Sequence, residues 1–218
     1  MTKRISLYDE MTVDLPEGTS GNVTIEKFEI SEHESRMGLI MGSGRGRTTS
    51  GTYTKLLRNG ALWMSDTGDE KFDHIEALQA MQALEPGGRV LIGGLGLGMV
   101  LRAVITATEV SHIDVVEIDP HVVRLVSQTY YDLAAEHGKT LFIHEGDLWD
   151  RQDLFGKPEK DHWDYAWMDI WLSLSTDNLK EMTKLGRKYN HYCKKIGYWG
   201  REYLRYQKRQ DALRYPGW

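Results

Sequence analysis

One stretch constrains this chain more than any other: Arg89-Val90-Leu91-Ile92-Gly93-Gly94-Leu95-Gly96-Leu97-Gly98-Met99-Val100. A short apolar run of the kind that forms a buried parallel strand leads into glycines at 93, 94, 96 and 98, and apolar residues resume with Leu101, Ala103, Val104 and Ile105. The pattern reads as strand, tight turn, helix. Without a Cβ the glycines let the backbone turn sharply, and they let a ligand approach the main chain and the positive end of the following helix.

Details of the loop separate its common uses. A phosphate-cradling P-loop ends in Gly-Lys-Ser/Thr, whereas Gly98 is followed by Met99-Val100. The dinucleotide fingerprint needs Gly or Ala three residues after its second glycine, and those places hold Met99 or Leu101. What remains is Gly94-x-Gly96-x-Gly98 after a strand, with Glu117 19 residues beyond Gly98 at the end of a second apolar run, Ile113 to Asp119. A carboxylate at that strand tip accepts hydrogen bonds from both hydroxyls of a ribose. An adenosine ligand without a pyrophosphate fits both features.

From Arg89 on, strands (89–94, 112–118, 140–144, 163–169) alternate with helices (98–107, 120–136), and Pro120 suits the first turn of its helix. Upstream, Val23–Ile30 alternates with period two, Met37–Met41 is a second apolar run, and Arg58-Asn59-Gly60-Ala61 carries a hairpin turn. Gly42 to Gly51 reads as a loop whose Arg45 and Arg47 either touch a phosphate or are solvated. A capping-box spacing, Asp73 with Glu76, starts a helix that Pro86-Gly87-Gly88 stops. Ser175-Thr176-Asp177 offers an N-cap for another helix, and Tyr192, Ile196, Trp199, Tyr203, Tyr206 and Leu213 recur further on at helical spacing. The expected fold is α/β: a small N-terminal β cap (1–66), a Rossmann-like parallel sheet with helices on both faces (67–175), and a basic, aromatic helical extension (176–218).

Charge is unevenly spread. Lys180 to Trp218 holds 11 Lys/Arg against three acids, Glu181, Glu202 and Asp211, a net of +8 in a chain whose total is −5, which leaves −13 for the rest. Such a tail binds nucleic acid, or docks on its own body or on a second subunit as a homo-oligomer. The single cysteine, Cys193, excludes an intramolecular disulfide and a thiolate metal cluster and suits a reducing cytosol. His112, His121, His137 and His144 show no convergent metal spacing, so no metal is expected. The longest near-apolar run, Val90 to Leu101, has 12 residues, short of the ~20 that span a bilayer, and Met1 to Ser6 has no secretory pattern behind it. A cytoplasmic protein with no membrane partner is the expectation.

With the loop and Glu117 in place, the sequence from about Leu57 to Asp169 resembles the class I S-adenosyl-L-methionine (SAM)-dependent methyltransferases, and within them the spermidine synthase-like family. The matching motifs are Arg58-Asn59-Gly60, Asp69-Glu70, Val90 to Gly98, Val116-Glu117-Ile118-Asp119-Pro120, Glu145-Gly146-Asp147 and Trp163-Asp164-Tyr165-Ala166-Trp167-Met168-Asp169. The resemblance implies SAM as cofactor, with Gly94, Gly96 and Gly98 facing its methionine part, Glu117 on the ribose and Asp147 on the adenine amino group. Asp169, ending the fourth strand of the sheet, is the implied catalytic residue. Aminopropyltransferases of that family carry an acid where this chain has Leu97, another where it has Leu172, and a glutamine where it has Trp63. A pocket less acidic than a polyamine site follows, with Trp171 as a wall, and methyl transfer to a neutral or aromatic small molecule is the expected reaction. Aminopropyl transfer and non-catalytic SAM or nucleoside binding are the alternatives. Asp147 also reads as an N-cap for the segment after Leu148, and His74, just inside the Asp73 cap, either lies near where cofactor carboxylates sit in this fold or is a surface histidine at a helix start.

Overall fold

A computed structural model describes residues 7–41, 48–150, 154–156 and 159–214. Arg45 and Arg47 of the 42–51 loop lie outside the described residues. After a helical turn, α1 (Leu7–Glu10), four strands form an antiparallel sheet in the order β1 (Gly18–Ser20), β2 (Val23–Ile30), β3 (Gly51–Arg58), β4 (Ala61–Ser65). The β3–β4 hairpin turns on Asn59 (φ 53°) and Gly60 (φ 76°), the left-handed pair that Asn-Gly supplies. The apolar run Met37–Met41 is not a strand but the end of α2 (Glu32–Met41). A capping box overrides its strand-like composition: the Ser31 N–H donates to the Glu34 carboxylate at 2.8 Å, and the Glu34 N–H donates back to the Ser31 hydroxyl at 3.2 Å.

Helix α3 (Gly68–Gln82) starts five residues ahead of Asp73, behind Thr67 and with Asp69 and Glu70 in its positive first turn. The second sheet follows: β5 (Arg89–Gly93), α4 (Met99–Ala107), β6 (His112–Glu117), α5 (Pro120–Glu136), β7 (Thr140–Glu145) and β8 (Tyr165–Met168). Then come α6 (Asn178–Tyr189), β9 (Ile196–Tyr198) and α7 (Arg201–Arg214). The strands are all parallel, in the order β7-β6-β5-β8-β9. This is a Rossmann-like sheet whose chain direction across the sheet reverses at β5, and a crevice at the carboxyl ends follows from that reversal.

The helical spacing expected through Tyr192, Ile196 and Trp199 is broken by β9. Gly197 is the physical reason: a Cβ there would lie 2.0 Å from the Tyr165 hydroxyl, so the missing side chain lets this segment lie against β8. Two apolar cores cover the two faces. One packs Leu78, Met81, Val104, Val126 and Trp167 with the β cap; the other packs Trp163, Met168, Met182, Leu185 and Tyr189. No helix among the described residues is long and apolar enough to cross a membrane.

Candidate functional site

A cavity of about 430 Å³, well within the range of ligand pockets, opens at the carboxyl ends of β5, β6, β7 and β8. Gly94 and Gly96, Glu117, Asp147 and Asp169 all line it. Gly98 does not; at φ +74° it forms the N-cap of α4, where a Cβ would lie 2.2 Å from the Tyr130 ring. Its neighbour is tied the same way, since the Tyr130 hydroxyl donates to the Leu97 carbonyl at 2.7 Å.

Glu117 is buried and binds the loop itself. One carboxylate oxygen accepts from the N–H groups of Leu95 (2.8 Å) and Gly96 (3.3 Å), the other from that of Asp119 (2.9 Å). A carboxylate has about four acceptor positions, so one remains for a ligand hydroxyl. The sequence spacing between loop and acid thus records a contact within the protein. Asp147 caps the turn Leu148–Asp150, its Oδ1 accepting from the Trp149 N–H at 2.8 Å, and the residue also lines the cavity.

Asp169 follows β8, its own N–H bound to the Gly93 carbonyl at 2.8 Å. Burial raises its carboxyl to about 8, helped by the negative charges of Glu70, Asp73 and Glu117. His74 is not on the surface. With α3 beginning at Gly68, it falls on the buried Lys71–Ala77–Met81 stripe, and its Nε2 lies 3.8 Å from Asp169 Oδ2. Burial lowers its imidazole to about 4, so it is neutral at pH 7. The helix start, with two acids after Thr67, was the available signal.

The expectation of a pocket less acidic than a polyamine site rests on Leu97 and Leu172. Leu97 is fully buried in the core and no part of the cavity, whereas Glu70 joins Glu117, Asp147 and Asp169 in it. Arg58 is the cavity's cationic side chain, and it pairs with Asp119, the cap of α5, while stacking 3.9 Å over the Trp63 ring. The outer wall is apolar, with Trp149, Ile170, Trp171 and a 70% exposed Leu172. Asp164 is structural, accepting from the Arg89 N–H and pairing with Lys194 at 2.6 Å.

Fold and site together define a Rossmann-like protein with an acidic ligand crevice at its switch point. No family model matches the sequence. Over 99 residues the chain is 33% and 34% identical to polyamine aminopropyltransferases of two strains of Prochlorococcus marinus, MIT 9301 and AS9601. The match takes in 44% of this chain and 35% of each relative, so the chain spans about a third of the length of the curated relatives it matches. Among solved structures, an S-adenosylmethionine-dependent methyltransferase of Mesorhizobium loti aligns at 19% identity over 56% of this chain and 48% of that one, with a TM-score of 0.34. A phosphoethanolamine N-methyltransferase of Haemonchus contortus, bound to phosphoethanolamine and S-adenosylhomocysteine, aligns at 12% identity over 56% of this chain and 23% of that one, with a TM-score of 0.41.

Proposed function

We propose that the chain is a SAM-dependent transferase that methylates a small-molecule acceptor. One observation carries the reading: the glycine loop, Glu117, Asp147 and Asp169, spread over 75 residues of sequence, meet in a single cavity. The residues fit the cofactor. Glu117 keeps an acceptor position for a ribose hydroxyl, the second oxygen of Asp147 can accept a hydrogen bond from the adenine amino group, and Gly94 and Gly96 leave main chain beside the methionine part. SAM supplies a carbon made electrophilic by its sulfonium. The protein's part is to hold an acceptor in line, exclude water with Trp149 and Trp171, and give the acceptor's proton a destination on the Asp169 carboxylate. The buried thiol of Cys193 suits a cytosolic setting.

A second reading, aminopropyl transfer to an amine, has two supports: the relatives matched are polyamine aminopropyltransferases, and four carboxylates line the cavity. The apolar outer wall, where an acceptor enters, favours methyl transfer. Calorimetry with SAM and S-adenosylhomocysteine tests the binding claim, and its failure with both would overturn the whole reading. Product identity then separates the reactions: S-adenosylhomocysteine marks methyl transfer, 5′-methylthioadenosine aminopropyl transfer. Binding without turnover in any cell extract would mark a non-catalytic binder.

A further inference from the structure

The cavity's cationic side chain, Arg58, comes from the β cap, where it ends β3. Two contacts fix its guanidinium as a flat plate. Nη2 donates to Asp119 Oδ2, and Cζ lies 3.9 Å from the ring centroid of Trp63, which also lines the cavity. A guanidinium carries five N–H donors and no acceptor. Among the described residues Asp119 is the side chain that accepts from this one, and the enclosed Nε has no hydrogen-bond partner. An arginine that served only to latch the cap to the sheet would leave most of its donors unused. About a third of the side chain stays exposed, at 32%.

The plate stands next to Glu117. Asp119 accepts from Arg58 on its own carboxylate and donates its N–H to one Glu117 oxygen at 2.9 Å, so a single residue joins the two. Three main-chain N–H groups leave Glu117 one acceptor position, whereas a ribose brings two neighbouring hydroxyls. One hydroxyl donates to Glu117. The other finds no position there, and its oxygen needs a donor. The charge balance suits that neutral oxygen, because the Asp119 carboxylate already offsets the guanidinium and no anion is required to complete the pair.

We propose that Arg58 is a cofactor-binding residue that donates to one ribose hydroxyl while Glu117 accepts from the other, so that the β cap and the parallel sheet each hold one side of the diol. The inference rests on the SAM reading and deepens it. The cap is seated for this role by Met64 on β4, whose sulfur accepts from the Leu97 N–H at 3.4 Å. A Cβ on Gly96 would lie 2.5 Å from that same sulfur, so the glycine lets cap and loop meet. A nucleoside spanning Glu117 and Arg58 then ties the cap to the sheet at a second point.

Calorimetry of the full chain with S-adenosylhomocysteine, and its displacement by adenosine, 2′-deoxyadenosine and 3′-deoxyadenosine, tests this. With the wild type each deoxy analogue should bind about tenfold more weakly than adenosine, since each lacks a different charge-assisted contact. A loss with one analogue and not the other would mean that Glu117 holds the ribose alone, and would overturn the proposal without any variant. In Arg58→Met adenosine should weaken about tenfold, one analogue should now match it, and the other should still bind about tenfold more weakly. Equal weakening of adenosine and both analogues would make Arg58 a latch only, and weakening confined to S-adenosylhomocysteine would assign it to the amino-acid carboxylate; either overturns the proposal. If Arg58→Met does not fold, the wild-type comparison decides. Failure of the wild type to bind S-adenosylhomocysteine or adenosine is a separate result, which sinks the SAM reading and this inference with it.

Discussion

Gly94 lies directly over the main chain of Asp169: a Cβ at position 94 would be 2.1 Å from the Asp169 carbonyl oxygen. The neighbour is backbone and cannot rotate away, and Gly94 sits at φ +94°, which side chains rarely adopt. Gly94→Ala is therefore expected to cost more than about 3 kcal/mol, combining left-handed strain with displacement of the loop from the end of β8. Gly60→Ala is the control: its φ is +76° but its Cβ would meet nothing within 4 Å, so only about 1 kcal/mol of strain applies. Urea midpoints of the two variants check this, and equal losses would show that the close approach at 94 carries no energy.

Glu117→Gln keeps the shape and removes the charge. Three main-chain N–H groups converge on this carboxylate, and an amide presents one oxygen and a donor that faces other donors. A stability loss of about 2 to 3 kcal/mol is expected, together with at least tenfold weaker SAM binding. Normal stability with weak binding would mean that the acid serves the ligand alone.

The parallel sheet was legible because its strands are buried on both faces and so read as apolar runs between glycine turns; Arg89–Gly93 and His112–Glu117 end within one residue of where the spacing puts them. Glu117 and Asp147 were legible as acids at strand ends. What spacing did not carry was the second partner of each: that Glu117 holds Leu95 and Gly96, and that Leu97 turns into the core, depend on which side of a tight loop each residue faces. The burial of His74 was hidden by a capping-box pattern at Asp73 that the helix does not use. Once Thr67, Asp69 and Glu70 define the start, the inward stripe passes through it. Gly197 looked like a helix defect and is a strand contact, because no local pattern reports a tyrosine hydroxyl 32 residues earlier in the sequence.

Asp169 makes stability depend on pH in an unusual direction. Its folded carboxyl is raised from an ordinary 3.8 to about 8, so between those values the native state binds more protons than the unfolded chain. Its contribution is fully present below about 4 and is lost as pH rises toward 8. Asp169→Asn removes the titration. The variant should match the wild type near pH 4 and exceed it by a few kcal/mol at pH 8. Guanidinium melts at the two pH values measure the difference, and a gap that does not grow with pH would mean that the carboxyl ionises at an ordinary value.

The basic tail divides in two. Met182, Leu185, Tyr189 and Tyr198 are buried with Trp163 and Met168, and β9 hydrogen-bonds to β8, so deleting residues 190–218 removes a strand of the sheet and should unfold the chain. Helix α7 differs: Leu204 is its buried side chain, while Tyr203, Tyr206 and Leu213 are 53%, 60% and 75% exposed. Truncation after Gly200 should therefore leave a folded protein that still binds SAM, destabilised by about 2 to 3 kcal/mol through the loss of Leu204. The exposed residues lie three and seven apart on one face, the arrangement that pairs helices, so the full chain is expected to self-associate in sedimentation and the truncated chain to be a monomer. If both are monomers and only the full chain binds single-stranded RNA, with affinity falling steeply with salt, the Arg and Lys side chains of α7 serve phosphates and not a second subunit.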